Sequence, residues 1–148
     1  MTPVRILLVE DDASDEALTR RALERGLIQD AVLVARDGPQ ALDYLFGRGR
    51  YADRDTMDQP QLVVLDLNTP GPGGLDVLKA IRADHRTRLL PVVILTSAQE
   101  ETDLLGGYRQ GANSYVIKPA EGAELADVIG QLARYWLSVN QRPPVDCG

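Results

Sequence analysis

The sequence predicts a doubly wound α/β domain: a five-stranded parallel sheet with helices on both faces. Two observations carry that prediction. Short apolar runs alternate along the chain with segments of helical period, the signature of repeated strand-helix units. Four of those runs stop at a group able to handle phosphate or metal. The run ending at Val9 meets Glu10 and Asp11, the run ending at Leu65 meets Asp66, the run ending at Leu95 meets Thr96, and the run ending at Ile117 meets Lys118. Ligands of parallel sheets bind beyond the carboxyl ends of the strands, so these groups describe one convergent pocket.

The first strand, about residues 5 to 9, feeds a helix over about residues 14 to 26. Ala17, Leu18, Ala22 and Leu23 give that helix a modest apolar stripe, and Gly26 supplies a stop. A second strand lies near residues 31 to 35. Asp37-Gly38-Pro39 then reads as a turn and helix start with Pro in the first turn, and Ala41, Leu42, Leu45 and Phe46 form the buried side. Residues 47 to 60 are polar and charged, without hydrophobic period, and longer than most such loops.

The third strand, residues 62 to 65, precedes the turn-rich Pro70-Gly71-Pro72-Gly73-Gly74 and a helix carrying Leu75, Leu78 and Ile81. The fourth opens at Pro91. Ser97-Ala98-Gln99-Glu100 after it matches a capping box, and Leu104, Leu105 and Tyr108 are the apolar positions of the following helix. Beyond Gly111 the fifth strand covers about residues 114 to 117. Leu125, Val128, Ile129, Leu132, Ala133 and Trp136 then recur at three and four residues in a last helix. Right-handed crossovers lead to the flavodoxin-like strand order 2-1-3-4-5, which places Glu10 and Asp11 beside Asp66 at the switch point.

At 148 residues the chain suits one domain, expected over residues 1–139, with residues 140–148 as an extended or disordered tail in which Pro143-Pro144 forbids further helix. With no second domain expected, output should pass through a partner or an assembly. A net charge of -6 argues against a nucleic-acid surface, which needs clustered cations. No run reaches membrane-spanning length, and the first apolar stretch meets Glu10, Asp11 and Asp12, which a secretory signal would not tolerate; a cytoplasmic location is expected. Cys147, the single cysteine, has no internal disulfide partner, and His85 receives no role.

Carboxylates crowded at one strand end repel one another unless a cation sits among them. Mg²⁺ suits such a site, because it prefers oxygen ligands and is usually held by one or two carboxylates, waters and a substrate phosphate. Asp66, directly after an apolar run, is placed to attack phosphorus and form an acyl phosphate. Lys118 supplies a fixed cation for one phosphoryl oxygen and Thr96 a hydroxyl donor for another. Each residue alone also has a plainer reading: a solvated helix cap for the acids, a turn or cap for Thr96, a surface lysine for Lys118.

Taken together, Glu10-Asp11, Asp66, Thr96 and Lys118-Pro119, with Tyr115 three residues before the lysine, resemble the receiver domains of two-component response regulators over nearly the whole chain. The resemblance implies that Asp66 is the phospho-acceptor and that Glu10 and Asp11 serve Mg²⁺ with Asp66 and the backbone carbonyl of Asn68. It implies a cis bond before Pro119. It also implies a switch in which Thr96 moves toward the phosphoryl group and Tyr115 swings inward, read out by helix four, strand five and helix five, which is also a candidate homodimer face. Residues 47 to 60, Ala41-Leu42-Asp43-Tyr44-Leu45 and Tyr135-Trp136-Leu137 resemble the small regulators partnered with phytochrome-type histidine kinases. The chain departs from the family in lacking an acid before the glycine that opens helix three. Ala98 offers no polar group to position water, so a moderately to long-lived phosphoryl mark is expected.

Other readings stand beside this one. A degenerate receiver would serve as a phosphorylation-independent interaction module. Asp66-Leu67-Asn68-Thr69 partly resembles the nucleophile motif of phosphoaspartate-forming phosphatases, although Asn68 has no acid proton to give a leaving group. A nucleotide-binding module would need a Gly-rich loop after strand one, where this chain has acids.

Overall fold

A computed structural model describes residues 4–25, 31–69 and 73–144. Five parallel strands, β1 (Ile6–Val9), β2 (Val32–Ala35), β3 (Leu62–Leu65), β4 (Val92–Thr96) and β5 (Ser114–Ile117), form one sheet in the order β2-β1-β3-β4-β5. The helices are α1 (Ala13–Leu23), α2 (Gly38–Phe46), α3 (Gly74–Ala83), α4 (Glu101–Arg109) and α5 (Gly122–Arg134). Among the described residues no helix is long and apolar enough to cross a membrane.

Side chains of a strand alternate between the two faces of its sheet, and here that alternation divides the core in two. Leu7, Val9, Val63, Leu65, Val92 and Ile94 pack under α2 and α3 against Ala41, Leu45, Val77, Leu78 and Ile81. Ile6, Leu8, Leu62, Val64, Val93 and Leu95 pack under α1 and α5 against Ala22, Leu23, Leu125 and Ile129. Burial on both faces explains why the central strands read as unbroken apolar runs.

Several boundaries differ from the sequence expectation. α1 begins at Ala13, with Asp12 as N-cap accepting from the Asp15 amide at 3.0 Å, and its last residue is Leu23. The expected stop at Gly26 and the turn at Pro70, Gly71 and Pro72 lie outside the described residues, as does Cys147. The capping box before α4 does not form: Glu100 occupies the N-cap position without a side-chain cap bond. The backbone of that loop turns instead to Thr96, whose Oγ1 accepts from the Ala98 amide at 3.3 Å. The peptide bond before Pro119 is trans, like every bond among the described residues, which is the ordinary preference of an X-Pro bond.

The apolar positions of α4 also need correction. Leu105 is 49% and Tyr108 52% exposed, while Gly107 is the buried residue of this helix. A Cβ at Gly107 would lie 2.8 Å from Ile94 Cδ1 and 3.0 Å from the Tyr115 ring, so the helix meets the sheet through its glycine and turns its larger side chains outward.

The loop after α2 is held by polar groups, which hydrophobic period does not register. Gly47 ends α2 in the left-handed conformation at φ 63°. A 3-10 turn follows at Gly49–Tyr51. The Arg54 guanidinium lies 3.8 Å from the Tyr44 ring centroid, and its Nε donates to the Tyr44 carbonyl at 2.7 Å. Gln59 Nε2 donates to the carbonyls of Leu45 at 2.9 Å and Thr56 at 2.7 Å. At the other end of the chain a π-helical turn, Tyr135–Val139, prolongs α5, and Trp136 is half-buried against the α1–α5 side of the core.

Gly74 opens α3 against the backbone of the β3 exit. A Cβ there would lie 2.7 Å from Leu67 Cα and 2.8 Å from the Asp66 carbonyl oxygen. Backbone cannot move aside as a side chain can, so Gly74→Ala is expected to destabilise the protein by about 1–3 kcal/mol. Urea unfolding of the two proteins checks it: an unchanged midpoint would show that the loop gives way freely.

Candidate functional site

Parallel register brings the strand exits together. Val9 lies opposite both Ala35 and Leu65, Leu65 opposite Ile94, and Thr96 opposite Ile117. The backbone hydrogen bonds continue one residue further: Glu10 donates its amide to Ala35 at 2.9 Å, Asp66 to Val9 at 3.1 Å, and Lys118 to Thr96 at 2.8 Å. The residue after each strand is therefore held nearly as firmly as the strand. Glu10 is 2%, Asp66 5% and Thr96 0% exposed.

Lys118 spends its three ammonium hydrogens on three carboxylates: Glu10 Oε1 at 2.5 Å, Asp66 Oδ2 at 2.8 Å and Asp15 Oδ2 at 2.9 Å. The other oxygen of Asp66, Oδ1, accepts from the Asn68 amide at 2.9 Å and from Thr96 Oγ1 at 2.8 Å. Asn68 Nδ2 donates in turn to Thr96 Oγ1 at 3.3 Å. On the far side of β4, the Tyr115 hydroxyl donates to the Ala98 carbonyl at 2.6 Å.

Burial pushes the Glu10 carboxyl up, and the nearby Asp66 charge adds to this; the Lys118 hydrogen bond opposes both, leaving Glu10 at about 7. Burial acts on Asp66 in the same direction, but donors from Lys118, the Asn68 amide and Thr96 outweigh it and hold the carboxyl below its ordinary value. Burial alone would lower Lys118. Its hydrogen bonds to Asp66, Glu10 and Asp15 instead raise it well above a normal lysine. Asp66 is thus the ionised carboxylate of the cluster, with both oxygens held by donors.

The structure brings Glu10, Asp66, Thr96 and Lys118 together, as the strand ends suggested. Asp11 stands on the exposed rim beside them, and Asn68 is likewise exposed, its amide and side chain turned to Asp66 and Thr96. Asp15 joins the cluster without having been singled out in the sequence. Its signal was present: an acid three residues past the N-cap of the helix that leaves the first acidic strand end. Trp136 packs edge-on to Tyr135 at 5.0 Å, in keeping with its place in the apolar period.

Among the described residues no three His, Cys, Asp or Glu side chains stand together as a ready cation cage, since the Lys118 ammonium already sits among the acids. The donor chemistry nevertheless fits a hard divalent ion. Two buried carboxylates, Glu10 and Asp66, have one ammonium between them, which does not fully offset the burial of Glu10 and its repulsion by Asp66. Mg²⁺ needs no more than one or two carboxylates, completing its shell with water and phosphate.

The model of the response regulator receiver domain matches residues 6–130. The probable methanogenesis regulatory protein FilR2 of Methanothrix harundinacea (strain 6Ac) is 38% identical over 95% of this chain and 88% of its own length. Response regulator Rcp1 of Synechocystis sp. (strain ATCC 27184 / PCC 6803 / Kazusa) is 31% identical over 95% of this chain and 94% of its own. Its Mn(2+)-bound crystal structure superposes with a TM-score of 0.87, covering 96% of this chain and 100% of that one. The phosphorylated cyanobacterial phytochrome response regulator RcpA superposes with a TM-score of 0.89 at 33% identity, covering 97% of this chain and 100% of that one. With its sheet order, its strand-end residues and these likenesses in agreement, the chain belongs to the response regulator receiver family.

Proposed function

We propose that the protein is a single-domain response regulator that accepts a phosphoryl group from a sensor histidine kinase on Asp66. The observation that carries this reading is the Asp66 carboxylate, buried yet ionised, with Lys118 on one oxygen and Thr96 and the Asn68 amide on the other. Glu10, Asp11, Asp66 and the carbonyl of Asn68 are the groups that would hold Mg²⁺. When bound, the ion would neutralise charge on the phosphoryl oxygens. The Mn(2+)-bound form of Rcp1 supports a divalent ion.

In the reaction an Asp66 oxygen bonds to phosphorus while the P–N bond of the kinase phosphohistidine breaks. The bonding pair stays on the imidazole, which leaves neutral when its ring carries one proton. Lys118 and Thr96 are the chain's own donors to the phosphoryl oxygens: both already donate to Asp66, and each would turn a hydrogen from its carboxylate partner to the incoming group. The protein acts as a catalyst only toward its own phosphorylation and dephosphorylation.

Thr96 and Tyr115 form the switch. Tyr115 is bonded to the Ala98 carbonyl, two residues beyond Thr96, so a phosphoryl group that draws on Thr96 alters the loop that Tyr115 holds. The adjoining surface of α4, β5 and α5 exposes Leu105, Tyr108 and Ile117, which suits it to a downstream partner or a second copy of the chain. The phytochrome response regulators among its likenesses support a phytochrome-type kinase as donor. We assign the receiver to residues 1–139, residues 140–148 to a tail, and the protein to the cytoplasm, without direct contact to nucleic acid or membrane.

Incubation with Mg²⁺ and acetyl phosphate should give a base-labile adduct on Asp66, and chelation should abolish it. Asp66→Asn is expected to lose the adduct, and Lys118→Ala to slow its formation by at least roughly tenfold. An undiminished adduct in Asp66→Asn would disprove the assignment.

Glu10 also yields a pH dependence. Its folded value of about 7 exceeds its ordinary 4.5, so between these the folded protein binds the extra proton. Stability should therefore fall as pH rises through that window in the presence of a chelator and level off above it. Glu10→Gln should remove the decline and Mg²⁺ reduce it, as read by urea unfolding from pH 4 to 8. A slope that ignores Mg²⁺ would separate Glu10 from the metal.

A further inference from the structure

We infer that Asp15 is a positioning residue that gives the Lys118 ammonium a carboxylate partner outside the buried pair, so that a divalent cation can take up Glu10 and Asp66 oxygens without leaving the ammonium unpaired. The inference rests on the Mg²⁺ reading of the same site.

An ammonium has three hydrogens to give, and in this protein each goes to a different carboxylate. Two of the acceptors, Glu10 and Asp66, are the buried pair suited to the ion. A cation entering between them competes with Lys118 for the same oxygens. Were these the only two acceptors, the ammonium, 8% exposed, would have to remain between them or lose its carboxylate partners. Asp15 changes that competition, because it offers Lys118 a third carboxylate from outside the buried pair.

Its position suits the task. Asp15 stands in the first turn of α1, where Asp12 has already capped the helix by accepting the Asp15 amide. An acid three residues past the N-cap often bonds back to the capping residue's own amide. Here the Asp12 amide is met by Glu10 Oε2 at 3.3 Å, and the Asp15 carboxylate turns to Lys118 instead. The Asp15 side chain is 35% exposed against 3% for Glu10 and 7% for Asp66, so it keeps its charge in contact with water while the other two are enclosed. Holding Lys118 there leaves the ammonium beside Asp66, where a phosphoryl oxygen would meet it.

Calorimetric titration with Mg²⁺, in the absence of any phosphodonor, tests the assignment on wild type, Asp15→Asn, Asp15→Glu and Asp12→Asn. Asp15→Asn should bind Mg²⁺ roughly fivefold more weakly, the scale of one partly exposed charge contact. Asp15→Glu should restore binding to within about twofold of wild type. Asp12→Asn removes the same charge from the same helix turn while keeping a good N-cap and leaving Lys118 untouched, and it should also stay within about twofold. Equal binding by wild type and Asp15→Asn overturns the inference, as does an equal loss in Asp12→Asn, which would make the effect one of net charge. Wild type that binds no Mg²⁺ at all overturns the metal reading and this inference with it.

A second measurement needs no variant. The ¹⁵N signal of the Lys118 ammonium should persist when Mg²⁺ is added to wild-type protein, because Asp15 retains it. Disappearance of the signal on Mg²⁺ addition overturns the inference.

Discussion

The site is organised by one ammonium among three carboxylates. Enclosed acids such as Glu10 and Asp66 would repel each other and take up protons if nothing lay between them, and Lys118 allows Asp66 to stay ionised in a place from which water is largely shut out. A carboxylate in that condition is both a poor partner for bulk water and fixed in orientation by its donors. Glu10, with burial less fully offset, is held at about 7 and remains the group most in need of further positive charge. Acceptance of phosphate and affinity for a divalent ion thus have a common electrostatic origin.

That cluster depends on the sheet. No two of Glu10, Asp66 and Lys118 are near neighbours in sequence, and parallel pairing of β1 with β3, β3 with β4 and β4 with β5 is what brings them to one edge. The apolar side chains of those strands fill two cores, which makes the strand exits rigid. The loops that carry the remaining groups are held by closer contacts. Gly74 lies against the Asp66 backbone, and Gly107 lets α4 approach Tyr115. Thr96, Ala98 and Tyr115 are joined by hydrogen bonds of their own, which couple the strand exit to the loop before α4.

Much of this was legible in residue order. The unbroken apolar character of residues 62 to 65 and 92 to 95 reports burial on two faces, and the polar residue that ends each run identifies the site. Less was visible where polar contacts rather than burial determine structure. Residues 47 to 60 showed no period because Arg54 and Gln59 order them through carbonyls and a tyrosine ring. The apolar residues of α4 looked like a buried stripe, yet Leu105 and Tyr108 face outward because the helix meets the sheet through Gly107. The capping box before α4 matched in composition but lost to Thr96, which had already engaged the same stretch of backbone.

By itself the sequence determined the strand order, the two-sided core and four of the groups at the carboxyl edge, since hydrophobic period and the polar ends of the runs are local properties. Tertiary structure alone decided how those groups share protons and hydrogen bonds. The ammonium of Lys118 meets Glu10 across 108 residues, Asp15 across 103 and Asp66 across 52, and no local pattern encodes which oxygens an ammonium will find after the chain has closed around it.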